Sequence, residues 1–218
     1  MNAKLIIGNK NYSSWSLRAW FLLREAGIDF EEHRIALDTA ATAEEIAHFS
    51  PAGKVPILIL DDLTIWDSMA IAETVAERWP DKNLWPADPV ARAHARCISN
   101  EMHSGFLHLR ECMPMNCRAM GRKVPIPDEL GEEIERVYHS WSECHKRYGD
   151  LGPWLFGDFS TADAMSAPVV LRFRTYGINL PESAGYAPHR LRESKAIQDW
   201  LAASESETEV IEMDEAGR

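Results

Sequence analysis

Three short segments hold residue types suited to handling a sulfur nucleophile and an amino-acid head group. The first is Tyr12-Ser13-Ser14-Trp15-Ser16-Leu17-Arg18. A helix start needs one capping serine, and here several stand together. Such a start also offers free N–H groups and a partial positive charge. A hydroxyl there either caps the helix or donates a hydrogen bond to a bound thiolate, which favours the ionised sulfur. The second segment is Lys54-Val55-Pro56. Pro56 either opens an edge strand or follows a cis bond that turns the Val55 backbone toward a cleft, where an extended peptide pairs with it. The third is Asp67-Ser68. Ser68 reads as an N-cap; alternatively its hydroxyl and the helix N–H groups take a ligand carboxylate while Asp67 takes the ammonium.

The elements around these segments follow from residue pattern. Lys4–Gly8 reads as a strand, and Trp15–Ala26 as a helix stopped by Gly27. Asp29–Leu37 reads as a second strand and Thr42–Phe49 as a short helix. Val55–Leu60 and Thr64–Trp66 form a hairpin about Asp61-Asp62, and Ser68–Trp79 is helical. The order is β-α-β-α-β-β-α. Residues 81–89, rich in proline and aspartate, read as a linker between a domain at 1–80 and one at 90–204. Strand signals nearly vanish beyond it. Helices are expected over Asp88–Cys112, Asp128–Gly149, Thr161–Tyr176 and residues 188–203. The fold class is an α/β domain followed by an all-helical one. The acidic segment 205–218 reads as a solvated, mobile tail.

The chain has 218 residues, with 34 acidic against 23 basic side chains and a formal charge of −11. That balance argues against a nucleic-acid partner and against docking on an anionic membrane. No segment approaches the length of a membrane span, and the first residues lack the apolar core and cleavage site of a signal peptide, so the expected home is cytoplasmic. Cys97, Cys112, Cys117 and Cys144 show no zinc-type spacing and read as free thiols, with no metal implied.

Together the three segments resemble the glutathione transferase superfamily, which has a thioredoxin-like N-terminal domain and a helical C-terminal one. Ser13-Ser14-Trp15-Ser16-Leu17-Arg18 followed by Gly27-Ile28-Asp29 is most similar to the zeta, maleylacetoacetate isomerase-like class. Trp15 stands where that motif has cysteine. The resemblance implies glutathione as co-substrate and no metal. It puts Ser13 on the catalytic serine with Ser14 beside it, Val55 on the backbone-pairing residue, Pro56 on the cis-proline, and Asp67-Ser68 on the γ-glutamyl site, with Lys54 adjoining. Asn11 and Tyr12 are further candidates for the sulfur contact. Ser160 and Asp163 match the helix capping box, a structural role. The family's carboxylate-binding arginine falls on Thr175, with Arg172 and Arg174 just before it and pointing to different faces.

The implied activity is transfer of glutathione to a small hydrophobic or electrophilic substrate. The alternatives are a maleylacetoacetate-type cis–trans isomerase and a noncatalytic glutathione-binding relative. Second-substrate candidates are Tyr12, His103, Arg110, Asn116 and Arg174. The resemblance also implies a homodimer.

Overall fold

A computed structural model describes residues 2–185 and 187–218. The strands β1 (Ala3–Ile7), β2 (Glu31–Arg34), β3 (Ile57–Leu60) and β4 (Leu63–Trp66) form one sheet in the order β2-β1-β3-β4. β1 runs parallel to β2 and antiparallel to β3, and β3 and β4 are antiparallel. Period-two alternation divides the sheet's faces. Leu5, Ile7, Leu58 and Leu60 join the main core, while Ile6 and Ile57 join a small cluster with Ile35 and Ile46. β2 is shorter than the sequence pattern suggests. Its side chains are all polar, which suits an exposed sheet edge.

α1 (Ser14–Glu25), α2 (Thr42–Ala47) and α3 (Ser68–Arg78) flank the sheet. Ser13 caps α1 by accepting from the Ser16 N–H. α1 ends where Gly27 takes a left-handed φ of 65° and the Ile28 N–H reaches back to the Leu23 carbonyl. α1 is almost wholly buried because it packs against both α3 and the helical region.

That region holds α4 (Pro89–Ser104), α5 (Leu107–Cys112), α6 (Asp128–Tyr148), α7 (Thr161–Tyr176), α8 (Ala187–Glu193) and α9 (Lys195–Glu205). The single helix expected over Asp88–Cys112 is broken. Gly105 is extended and Phe106 is left-handed, at φ 60°. Arginines from two elements satisfy the carbonyls left at the break. Arg18 Nη2 donates to the Met102 carbonyl at 3.0 Å, and Arg110 donates to the carbonyls of Met102 and Gly105 at 2.6 and 2.9 Å. The last expected helix also divides, at Ser194, whose hydroxyl caps α9.

α7 lies at the centre. The Ser160 N–H and hydroxyl both donate to Asp163 Oδ2 at 2.9 Å, and the Leu155 N–H donates to Oδ1. Burial pushes the Asp163 carboxyl up to about 7 against these hydrogen bonds. The linker is pinned to this helix start: the Thr161 N–H and hydroxyl donate to the Leu84 carbonyl.

The acidic C-terminus is not a free tail. Ile211 is buried, and the Glu207 carboxylate accepts from the backbone N–H groups of Lys10 and Asn11 at 2.7 and 3.0 Å. Arg118 donates to the carbonyls of Glu207 and Glu209. Glu215 accepts from Tyr12, Asn116 and Arg122. The acidic side chains that suggested solvation instead find N–H donors and arginines on the folded surface.

Candidate functional site

A cavity of about 900 Å³ lies between the α1 and α3 helix starts and the helical region. Tyr12, Ser13, Ser14 and Trp15 line it from the β1–α1 loop and the first turn of α1. Lys54, Val55 and Pro56 line a second side, and the Val55–Pro56 peptide bond is cis. Asp67 and Ser68 enter from the start of α3. Arg110 of α5, Arg172 of α7 and Asp214 of the C-terminal segment bring charge to it from the other side.

The serines differ in their partners. The Ser13 hydroxyl donates to Ser16 Oγ at 2.8 Å while capping α1. Ser14 Oγ accepts from Arg172 Nη2 at 3.3 Å, so that bond does not use its own proton. Asp67, at φ 74°, uses Oδ1 to cap α3 through the N–H groups of Met69 and Ala70.

The cavity's helical side is strongly cationic. Two guanidiniums stand against the Trp15 ring, with Arg18 Cζ 4.3 Å and Arg110 Cζ 5.0 Å from its centroid. Burial, followed by the charges of Arg110 and Arg172, holds Arg18 well below the usual arginine range. Burial and Arg110 lower Arg172 to about 10, while Asp214 opposes them. Burial raises Asp214 to about 6, against the pull of Arg172.

Other predicted positions lie elsewhere. His103 stands behind Asp67 and Ser68 rather than on the second-substrate side. Asn116 is taken up by Glu215. Arg174 donates to the Cys117 carbonyl and borders a separate cavity of about 210 Å³. Thr175 donates to the Asn116 and Leu171 carbonyls. Asn11 Oδ1 accepts from the Arg118 N–H, outside the cavity lining. Both Arg174 and Asn116 are spent on positions their sequence spacing could not reveal.

Arg172, which precedes Thr175 in sequence, is the arginine of α7 that reaches the cavity. A cation in the otherwise nearly continuous buried run of α7 is a signal, because an arginine is rarely fully buried without a task. Asp214 had no such signal. Among the described residues, no group of three or more His, Cys, Asp or Glu side chains is placed to hold a metal ion. Burial pushes the Cys117 thiol up to about 12 and also raises Cys144, so neither is an activated nucleophile.

The mixed sheet, the cis-proline at the start of β3 and the cavity facing an all-helical partner define a thioredoxin-like domain joined to a helical domain. Residues 12–78 match the family described as glutathione S-transferase, N-terminal domain. The probable maleylacetoacetate isomerase of Caenorhabditis elegans is 36% identical over 212 residues, covering 93% of this chain and 94% of that protein. The chain belongs to the glutathione S-transferase family. A stringent starvation protein A homolog from Coxiella burnetii is 24% identical over 202 residues, covering 92% and 91% of the two chains. A glutathione transferase homolog from Burkholderia, crystallised with bound glutathione, shares the fold with TM-score 0.70 at 24% identity, covering 95% of this chain and 100% of that one.

Proposed function

We propose that the protein is an enzyme that binds glutathione in this cavity and presents its thiolate to a small electrophile. The contact of Arg172 with Ser14 carries the reading, because it places a buried cation behind a hydroxyl that opens onto the cavity. The residues suit the tripeptide. Asp67 takes the γ-glutamyl ammonium and Ser68 the adjoining carboxylate. The Val55 backbone pairs with the cysteinyl residue, and Lys54 takes the glycyl carboxylate. The sulfur then rests at the start of α1.

Ser14 donates its free proton to the sulfur, and Ser13 holds the helix start that directs positive potential there. The thiol proton leaves to solvent. The thiolate attacks an electrophilic carbon, forming a C–S bond as a leaving group departs with its electron pair. Orientation and field are the protein's contributions. Arg172 and Arg110 suit a second substrate that carries a carboxylate.

The likeness to the worm isomerase favours a second reading. In it the thiolate adds to a cis double bond, the resulting single bond rotates, and elimination regenerates glutathione. Assembly as a homodimer belongs to the same proposal, with sedimentation as its check.

The test is an ultraviolet titration of bound glutathione with wild type, Ser13→Ala and Ser14→Ala. A thiol pKa below that of free glutathione, rising most in Ser14→Ala, supports activation. Binding with an unshifted pKa in wild type overturns it and leaves a noncatalytic glutathione binder. Turnover with a maleyl keto acid against a halogenated aromatic then separates isomerase from transferase.

A further inference from the structure

His103 lies in the last turn of α4, outside the cavity wall and directly behind the two residues assigned to the glutathione head group. Its Nε2 is 3.1 Å from Asp67 Oδ2, and its Nδ1 is 3.4 Å from Ser68 Oγ. Its ring stands edge-on to Trp15, with centroids 5.3 Å apart. The imidazole therefore bridges a carboxylate and a hydroxyl that both open onto the cavity.

These two partners fix the tautomer. A carboxylate only accepts, so a neutral ring carries its proton on Nε2 and leaves Nδ1 as an acceptor. The Ser68 hydroxyl then donates to Nδ1, and its proton points away from the cavity. In the imidazolium both ring nitrogens donate. Ser68 now accepts from Nδ1–H, and its own proton is free to turn to a ligand. A carboxylate seated at Ser68 needs that proton.

We propose that His103 is a positioning residue that couples binding of a ligand carboxylate at Ser68 to uptake of a proton on its ring. The proposal rests on the reading that the γ-glutamyl group of glutathione occupies Asp67 and Ser68.

The charged groups facing His103 come from three elements. Burial lowers its pKa, and Asp67 at the start of α3 raises it. Arg18 of α1 and Arg110 of α5 lower it, and the net direction is downward. The ring of the free protein is thus mainly neutral near neutral pH. In the complex the ammonium at Asp67 favours the neutral ring, while the carboxylate at Ser68 adds a negative charge and needs the hydroxyl proton that only the imidazolium frees; the coupling requires the second effect to prevail, which raises the ring's pKa. The linkage sign follows: affinity is greatest below the free-protein pKa and is lost as pH rises through the pKa of the complex.

The probe is S-methylglutathione, which has no thiol to ionise. Its binding is measured by calorimetry from about pH 6 to about pH 8, in two buffers of different ionisation heat. Wild type should take up a fraction of a proton and lose about threefold to tenfold in affinity across that range. His103→Gln retains an amide that can reach Asp67, and it should bind with a nearly flat profile. Uptake that is absent in wild type, or unchanged in His103→Gln, overturns the coupling and leaves the head-group reading intact; unchanged uptake would point to Asp214. No binding of S-methylglutathione to wild type sinks both. Should the variant fail to fold, the ring-nitrogen shifts of His103 in wild type decide. A pKa that rises on binding supports the coupling, and one that stays put overturns it.

Discussion

Arg172 Nη2 of α7 bonds to Ser14 Oγ at the first residue of α1, 158 positions away in sequence. Its Nε donates to the Met113 carbonyl at 2.8 Å, so the guanidinium is held from a second direction and aimed at the cavity. This contact joins the helical region to the helix start at which the proposed sulfur site lies.

Arg172→Lys keeps a cation but loses the planar fork that reaches both partners. It should raise the thiol pKa of bound glutathione and reduce kcat/KM by on the order of tenfold, about 1.4 kcal/mol. Steady-state kinetics with thermal melting checks this. An unchanged thiol pKa in a folded variant would remove Arg172 from sulfur activation.

The two serines should separate by what their loss affects. Ser13→Ala removes the α1 cap and should lower stability by about 0.5–2 kcal/mol. Ser14→Ala should hardly move the melting temperature yet raise the thiol pKa. Chemical denaturation alongside the ultraviolet titration distinguishes them. The reverse pattern would return the sulfur contact to Ser13.

The C-terminal segment should behave as part of the fold. Glu207→Ala strips the acceptor from the N–H groups of Lys10 and Asn11 and should cost about 1.5–3 kcal/mol. The β1–α1 loop should then exchange its amide hydrogens faster. Unaltered exchange there would mean that the contact contributes nothing.

Two neighbouring acids should give opposite pH profiles. Burial raises Asp214 above its ordinary value, to about 6, so its share of stability is full below about 3.8 and is lost as pH rises through about 6. Asp214→Asn should therefore melt higher than wild type at neutral pH, with the difference closing in acid. Burial pushes Glu215 up, but hydrogen bonds from Tyr12 and Asn116 and the charge of Arg218 outweigh it and hold it below 4.5. Its share is present above the ordinary glutamate value and is lost as pH falls through the folded pKa. Glu215→Gln should melt lower at neutral pH. Melting curves across pH for both variants test the pair, and parallel profiles would contradict the assignment.

Much of the fold was readable because it depends on neighbours in sequence. The apolar run Leu5-Ile6-Ile7 marks a strand before any partner is known, although which face each residue joins came only with the packing. Ser160 and Asp163 stand at capping-box spacing, and their hydrogen bonds form within one helical turn. The helix start at Asp67-Ser68 was legible for the same reason, because it follows a strand. The breaks at Gly105 and Ser194 were harder to read. Helical pattern continues across Gly105, and the turn is completed by Arg18 and Arg110, one of them far away in the chain.

By itself, the sequence determined the order of elements in the first domain, the apolar faces of the longer helices, and the helix starts that carry Ser13, Ser14, Asp67 and Ser68. Those depend on local periodicity and capping. Only the tertiary structure decided that Arg172 enters the cavity while Arg174 turns to the Cys117 carbonyl. Residues advance by about 100° each around a helix, so these two arginines point to different sides. Which side meets α1 is set by how α7 packs. The same holds for His103 behind Asp67 and for the acidic segment on the β1–α1 loop, since an acidic run carries no mark of the distant N–H groups that will receive it.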